Sequence, residues 1–272
     1  MSSTAAAGPA PVKLQKKKPS LPEGERVERS LWQQTWHQFK RNKLAMAGLG
    51  FILFLLLIVL GTTAVDIVTD KAFYDQHVIN QNLSQKLAAP SAEHIFGCDE
   101  YGRDIFFRML WGTKMTLFIG LVAVFISIVI GGTLGALAGY YGGRVDDVIM
   151  RVMDVFLAIP SMVLAIAVVT ALGTSTFNLL LSLAAPRLAR FARVARAAVM
   201  AEKDKEFVEA ARAVGANDLT ILFQYILPNA LAPILVQASL GTGDAVLAVA
   251  GLSYLGLGVQ PPMPEWGSIL TS

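Results

Sequence analysis

The sequence predicts an all-α, polytopic membrane helix bundle, and three observations carry that prediction. Of 272 residues, 54% are hydrophobic and only 16% charged, whereas an ordinary soluble domain carries about a quarter charged residues. The apolar residues arrive in long blocks, not in the alternating or one-faced patterns of soluble elements. Lysine and arginine gather beside some of those blocks and avoid others, the asymmetry that sets orientation in a bilayer. A soluble chain this poor in charge would lack the surface to stay dispersed, so the lipid bilayer is its solvent.

Residues 1–43 form a polar N-terminal arm with Lys16, Lys17 and Lys18 in a run and Lys40, Arg41 and Lys43 against the first apolar block. That block, 44–65, reaches about 33 Å as a helix at about 1.5 Å per residue, enough to cross a hydrocarbon core of about 30 Å. It begins too late and runs too long for a cleaved signal peptide. Its flanking cations place the N-terminus in the cytoplasm. Segment 66–114 has more acidic than basic residues, among them Asp66, Asp70, Asp75, Asp99 and Asp104, and is placed outside. The second block, 115–140, carries Gly131, Gly132, Gly135 and Gly139, a small-residue face suited to close helix contact in lipid.

The third block, 148–172, follows a turn at Gly142, Gly143 and Arg144 and contains Pro160, which should kink a span that membrane packing tolerates. Asp154, three residues after Arg151, reads as half of an intrahelical pair. The fourth block, 177–198, is weaker. After Pro186, arginine recurs at 187, 190, 193 and 196, a stripe expected to snorkel toward phosphates. The fifth block is 229–252, and a Gly- and Pro-rich segment, 253–272, ends the chain outside. Five crossings alternate consistently across 44–272.

Several function classes drop out. The net charge of +3 has no basic and aromatic interleaving, so nucleic acid is not expected as a partner. Cys98 is the single cysteine and His37, His77 and His94 are isolated, leaving no intrachain disulfide and no metal site. No HExxH, GxSxG or P-loop pattern occurs, so the chain is expected to carry no catalytic residue, to be no enzyme and to hydrolyse no ATP itself. A membrane enzyme would need paired acids, bases or metal ligands within the blocks. An ATP-independent secondary transporter would show internal repeats and more buried charge.

Between the fourth and fifth blocks, loop 199–228 is set on the cytoplasmic side. Helix formers run to Val214 and then Gly215 offers a left-handed cap. Asn217 or Asp218 can cap a second short helix, and Pro228 marks the start of the next span. Phe207, Ala210, Ala211 and Val214 give the first helix an apolar face. Such a knob either lies on the membrane surface or docks into a protein groove. Its alanines offer little area to lipid but let a partner's backbone approach, which favours docking.

Glu209-Ala210-Ala211, then Gly215, then Ile226-Leu227-Pro228 resembles the EAA loop of bacterial ABC importer permeases. Tyr225 stands where many relatives have histidine. Arg41-Asn-Lys-Leu-Ala45, Phe96-Gly-Cys-Asp-Glu-Tyr-Gly-Arg-Asp104, Gly139-Tyr-Tyr-Gly-Gly-Arg144 and the run from Leu252-Ser-Tyr through Pro264-Glu-Trp-Gly267 resemble the C-type subunit of the dipeptide/oligopeptide permease family. The resemblance runs from about Arg29 to the last residue. It implies the type I ABC importer permease fold in a bacterial cytoplasmic (inner) membrane, with six spans, so that a sixth would follow the five seen here. It implies ATPase coupling through Glu209, Ala210, Ala211, Gly215, Leu227 and Pro228. It implies a heterodimer with a B-type permease, two ATP-binding subunits holding the ATP and Mg, and an extracytoplasmic binding protein docking on 66–114 and 253–272. The family takes dipeptides, oligopeptides, glutathione, nickel chelates and opines, and includes exporters of antimicrobial peptides. Asp244, flanked by Gly241 and Gly243 in the fifth block, is the candidate for the substrate pathway because intramembrane carboxylates are rarely idle. It could meet a peptide's amino terminus, a hydroxyl such as that of Thr242, or a partner chain. Many relatives have an acidic residue just before Leu252-Ser-Tyr, where Val249 and its neighbours are neutral here.

Overall fold

The computed structural model describes Trp36, His37 and residues 39–271. The lysine run at 16–18 and most of the arm 1–43 lie outside the described residues. Among those residues the chain is helical with no strand, and Cys98 and Asp104 form an isolated antiparallel bridge. The chain divides into two compact units at Phe51 and Ile52.

In the first unit Trp36 stacks on Phe39 at 5.7 Å and Lys40 lies over the Trp36 ring. Asn42 then starts helix α1, Lys43–Val68. Its Oδ1 accepts from the backbone N–H of Leu44 and Ala45 at 3.1 and 3.2 Å, supplying acceptors that the first turn lacks.

In the second unit, helix α2 (Ile105–Tyr141) starts at Asp104, whose Oδ1 accepts from the N–H of Phe107 at 3.0 Å. A π-turn at Ile128–Gly132 interrupts it. Helices α3 (Gly143–Ala158) and α4 (Ser161–Leu172) meet at 93°. The bend expected at Pro160 is thus a full break between two helices. Pro160 has no N–H to continue the ladder, and Ile159 before it is extended at φ −100°, ψ 130°, the conformation a following proline imposes.

Helix α5 (Thr176–Glu202) runs among α2, α3, α4 and α7 (Asp218–Tyr254), with the short α6 (Glu206–Ala213) between α5 and α7. Helices α1, α2 and α7 are long and apolar enough to cross a membrane, and the α3–α4 pair would make a fourth if it counts as one span. Helix α5 falls outside that set because of its arginines, yet Leu179, Leu183, Ala189, Phe191, Ala192, Ala195 and Val199 are all buried. A helix wrapped by other helices does not need an apolar surface all round.

The glycine face of α2 meets α5 backbone to backbone. A Cβ built on Gly131, Gly135 or Gly139 would come within 2.3, 2.0 and 2.7 Å of the carbonyl oxygens of Leu188, Ala192 and Arg196. Both series step by four, so the glycine ridge of α2 lets the backbone of α5 lie directly against it. Ile119, Ala123, Val169, Leu179, Leu183, Val249 and Leu252 fill one core, and Val124, Phe191, Ala195, Ile234 and Ala245 another.

A polar lattice closes the end of the unit where α2 begins. Asp99, 1% exposed, accepts from Arg103 Nε at 2.7 Å and lies 3.5 Å from Arg108 Nε. Arg108 also donates to the Val78 carbonyl at 2.9 Å. Asp66 accepts from the Trp111 indole at 2.8 Å and from Lys114. Glu265, fully buried, accepts from Gly267 and Ser268 N–H at 2.9 and 3.1 Å and from the Thr116 hydroxyl at 3.2 Å. It thereby caps helix α8, Trp266–Ile269, and ties segment 253–271 to α2.

Candidate functional site

Loop 199–228 folds as a knob with a buried root and an exposed face. Helix α6 carries Glu206 and Glu209 in its first turn and Arg212 in its last, each sign suited to the nearby end of the helix dipole. Val208 is fully buried and Ala211 is 5% exposed. They pack into a core with Ala136, Tyr140, Val199, Ile221, Leu222, Ile226 and Ala230. Val208 and Ala211, three apart, form the inward stripe. Glu209, Ala210, Ala213 and Val214 face out, Val214 at 83% exposed.

Gly215 ends the helix with φ +87°. Its N–H donates to the Arg212 carbonyl at 3.0 Å, and the Ala216 N–H donates to Ala211 at 3.1 Å, the closing pattern of a glycine cap. A Cβ at Gly215 would meet no atom within 4 Å, so only the backbone conformation demands glycine here. Asn217 then caps the next helix, accepting from the Thr220 N–H at 2.8 Å.

The second helix of the knob and the fifth apolar block are one element, where the sequence suggested a short helix followed by a separate span. Helix α7 runs from Asp218 to Tyr254, and the widened π-turn at Ile221–Ile226 lies just before Pro228. That register, with the Leu227 N–H donating to the Leu222 carbonyl, carries the chain past a residue that has no N–H of its own.

The six residues assigned to this loop do not share one surface. Glu209, Ala210, Gly215 and Pro228 are exposed, Ala211 is buried and Leu227 is half-buried against the core beneath. Residues not singled out beforehand complete the root. The Tyr140 hydroxyl donates to Asp218 Oδ1 at 2.6 Å, and Arg212 lies over the Tyr140 ring. The Tyr140 hydroxyl holds the Arg212 guanidinium above its ordinary range. The signal for Tyr140 was present in the Gly139-Tyr-Tyr motif, but only the fold shows that it faces the loop.

The arginine stripe of α5 meets carboxylates from two helices, α3 and α7. Arg190 donates to Asp244 at 3.3 Å, Arg193 to Asp154 at 2.7 Å, and Arg196 pairs with Asp146 through two nitrogens. Asp154 thus pairs across helices and not with Arg151, and each of these three arginines meets a carboxylate. Asp244 meets Arg190, whereas the Thr242 hydroxyl donates to Ala238 of its own helix at 3.0 Å. Among the described residues, no group of three or more His, Cys, Asp or Glu side chains is placed to hold a metal ion.

Residues 131–272 match the family described as binding-protein-dependent transport system inner membrane component, and residues 30–90 match the N-terminal TM domain of oligopeptide transport permease C. The dipeptide transport system permease protein DppC of Alkalihalophilus pseudofirmus is 43% identical over 250 residues, covering 92% of this chain and 80% of the relative. The glutathione transport system permease protein GsiD of Pectobacterium atrosepticum is 40% identical over 242 residues, covering 89% and 78%. A solved structure of the MetNI methionine ABC transporter, inward facing, aligns at TM-score 0.49 and 23% identity over 57% of this chain and 77% of that one. The match over more than half of the chain, joined to identities of 40% and above along nearly all of it, places this multi-pass membrane protein in the permease family of binding-protein-dependent transport systems.

Proposed function

We propose that this chain is one permease subunit of an ATP-driven importer that carries peptides across a bacterial cytoplasmic membrane. The observation that carries the reading is the knob formed by α6 and the first turns of α7. Its root is buried, its face is small and exposed, and it continues into a spanning helix without a joint. A force on Ala210 or Val214 is delivered through Val208, Ala211 and the Tyr140–Asp218 contact to α5, α2 and α7, because packed interiors move as units. ATP-binding subunits gripping the exposed face would drive that motion, with ATP and Mg bound in those partners. Glu209 and Ala210 then belong to the contact, Ala211 and Leu227 to its support, and Gly215 and Pro228 to the backbone shape that presents it.

Loop 199–228 lies on the cytoplasmic side in this reading, as does the N-terminus, and 66–114 and 253–272 face a substrate-binding protein outside. A B-type permease supplies the other wall of the pathway in a heterodimer. Peptide is the favoured cargo because the chain is 43% identical to a permease named for dipeptide transport. Glutathione, itself a small peptide, is the second reading on the strength of the 40% identical relative.

Extraction of the tagged chain in mild detergent from its own host, followed by mass spectrometry of what accompanies it, tests this. Recovery of ATP-binding chains with a second permease is expected. Recovery of this chain alone, repeatedly and after cross-linking, contradicts it.

A further inference from the structure

A cavity of about 270 Å³ opens beside the break between α3 and α4, lined by Ser161, Met162, Arg187, Arg190, Asp244 and Leu247 among others. Three features of it are independent. First, Arg187 is nine-tenths buried, and its Nε has no hydrogen-bond partner although one terminal nitrogen donates to the Leu183 carbonyl of its own helix. A buried guanidinium hydrogen left unbonded is costly unless something completes it. Second, α4 begins at Ser161 with Pro160 before it and no side chain capping its first turn. The 93° break thus turns the positive end of a twelve-residue helix into the cavity wall, the arrangement that draws anions to broken helices. Third, the lining charges are Arg187, Arg190 and Asp244, two positive and one negative. Arg190 and Asp244 face each other across 3.3 Å with both side chains about half exposed, which leaves Arg187 as the uncompensated charge.

Asp244 stands inside the apolar block 229–252, ten residues before the end of α7.

We propose that this cavity is a zwitterion site in the pathway. Arg187 and the first N–H groups of α4 take a carboxylate, and Asp244 takes an ammonium in exchange for its long contact with Arg190. This rests on the permease reading above and narrows it to solutes with a free carboxylate. The volume lies near the lower end of the range for small-molecule sites, about 300 Å³, and suits a dipeptide-sized solute.

The test uses the complete transporter in nanodiscs, without binding protein or ATP, with radiolabelled dialanine and its C-terminal amide as probes. Wild type should bind dialanine at least about tenfold more tightly than the amide, since a charge-assisted hydrogen-bonded pair is lost with the carboxylate. Arg187→Gln should erase that preference and Arg187→Lys should keep part of it. Asp244→Asn should narrow the difference between dialanine and N-acetyl-dialanine. Equal binding of acid and amide by wild type, no binding of dialanine at all, or Arg187→Gln binding like wild type would each overturn the proposal. So would failure of Arg187→Gln to assemble that is cured by neutralising a carboxylate of the second permease, because Arg187 would then be a subunit contact. Stimulation of ATP hydrolysis by the binding protein is measured alongside. Its absence in wild type refutes the importer reading itself.

Discussion

Truncation of the knob's root, Val208→Ala, isolates the part of the account that concerns force transmission. Val208 is fully buried among Ala136, Tyr140, Val199, Ile221 and Leu222. Removing two methyl groups forfeits about 1.6 kcal/mol of burial at about 0.8 kcal/mol per carbon, and the cavity left behind raises the cost to about 2 kcal/mol. If that cost falls on docking of the knob and not on the whole fold, the undocked population rises about thirtyfold. Hydrogen exchange followed by mass spectrometry reads this in the assembled transporter, because the Gly215 and Ala216 N–H groups donate to carbonyls of α6, and a helix of only eight residues keeps its turns only while it is packed. Peptides covering 206–220 should exchange about thirtyfold faster, and peptides from 115–140 should not change. Val214→Ala, at a position 83% exposed, should leave exchange in the isolated chain within twofold. Unchanged exchange at 206–220 in Val208→Ala, or an equal rise in every segment, would refute the idea of a separately anchored knob.

Further outcomes follow from the same geometry. Gly135→Val places a Cβ 2.0 Å from the Ala192 carbonyl oxygen, a backbone atom that cannot swing aside. It should cost about 3 kcal/mol, the upper part of the overpacking range, visible as a lower melting temperature in detergent. Gly215→Val forces a β-branched residue to φ +87° at a cost of about 1–2 kcal/mol and should abolish uptake while insertion into the membrane stays normal; full uptake would exclude this turn from coupling. Burial, then Asp104, Asp99 and Glu93, push the Cys98 thiol above its ordinary range. Because the thiolate is the reactive form, maleimide labelling at neutral pH should be slower than for an exposed free thiol and should speed up as pH rises past the ordinary thiol range. Asp99→Asn leaves Arg103 and Arg108, 4% and 3% exposed, without their shared carboxylate and should cost about 3–5 kcal/mol, seen as protease sensitivity within 66–114.

Features set by backbone proximity or by local chain chemistry were legible in the sequence. Gly131, Gly135 and Gly139 announce a close helix contact because only a missing side chain permits one, and Gly215 announces the turn because only glycine sits easily at its φ. The proline at 160 gave the place of a bend but not its size, since a kink and a 93° break begin with the same missing N–H. The π-turn before Pro228 has no signature in the sequence, so one continuous α7 reads there as a short helix followed by a separate span. The partners of the arginine stripe were out of reach for another reason. Arg193 and Asp154 are 39 positions apart and Arg190 and Asp244 are 54 apart, so the pairing exists only once α3, α5 and α7 are packed. On α6, helical spacing alone does not tell whether Val208 or Val214 turns inward, so the root of the knob is visible only in the packed fold. The cavity at Arg187 combines both kinds of feature, since Pro186 and Arg187, which both line it, are neighbours in the sequence while Ser161 and Asp244 come from elsewhere.

The most direct test of the central claim is a photo-cross-linking amino acid at Ala210, exposed on α6, in the complete transporter. The account predicts an adduct with an ATP-binding subunit, formed with the wild-type root and lost or displaced in Gly215→Val. Adducts with lipid alone, in the presence of stoichiometric ATP-binding subunits, would contradict it.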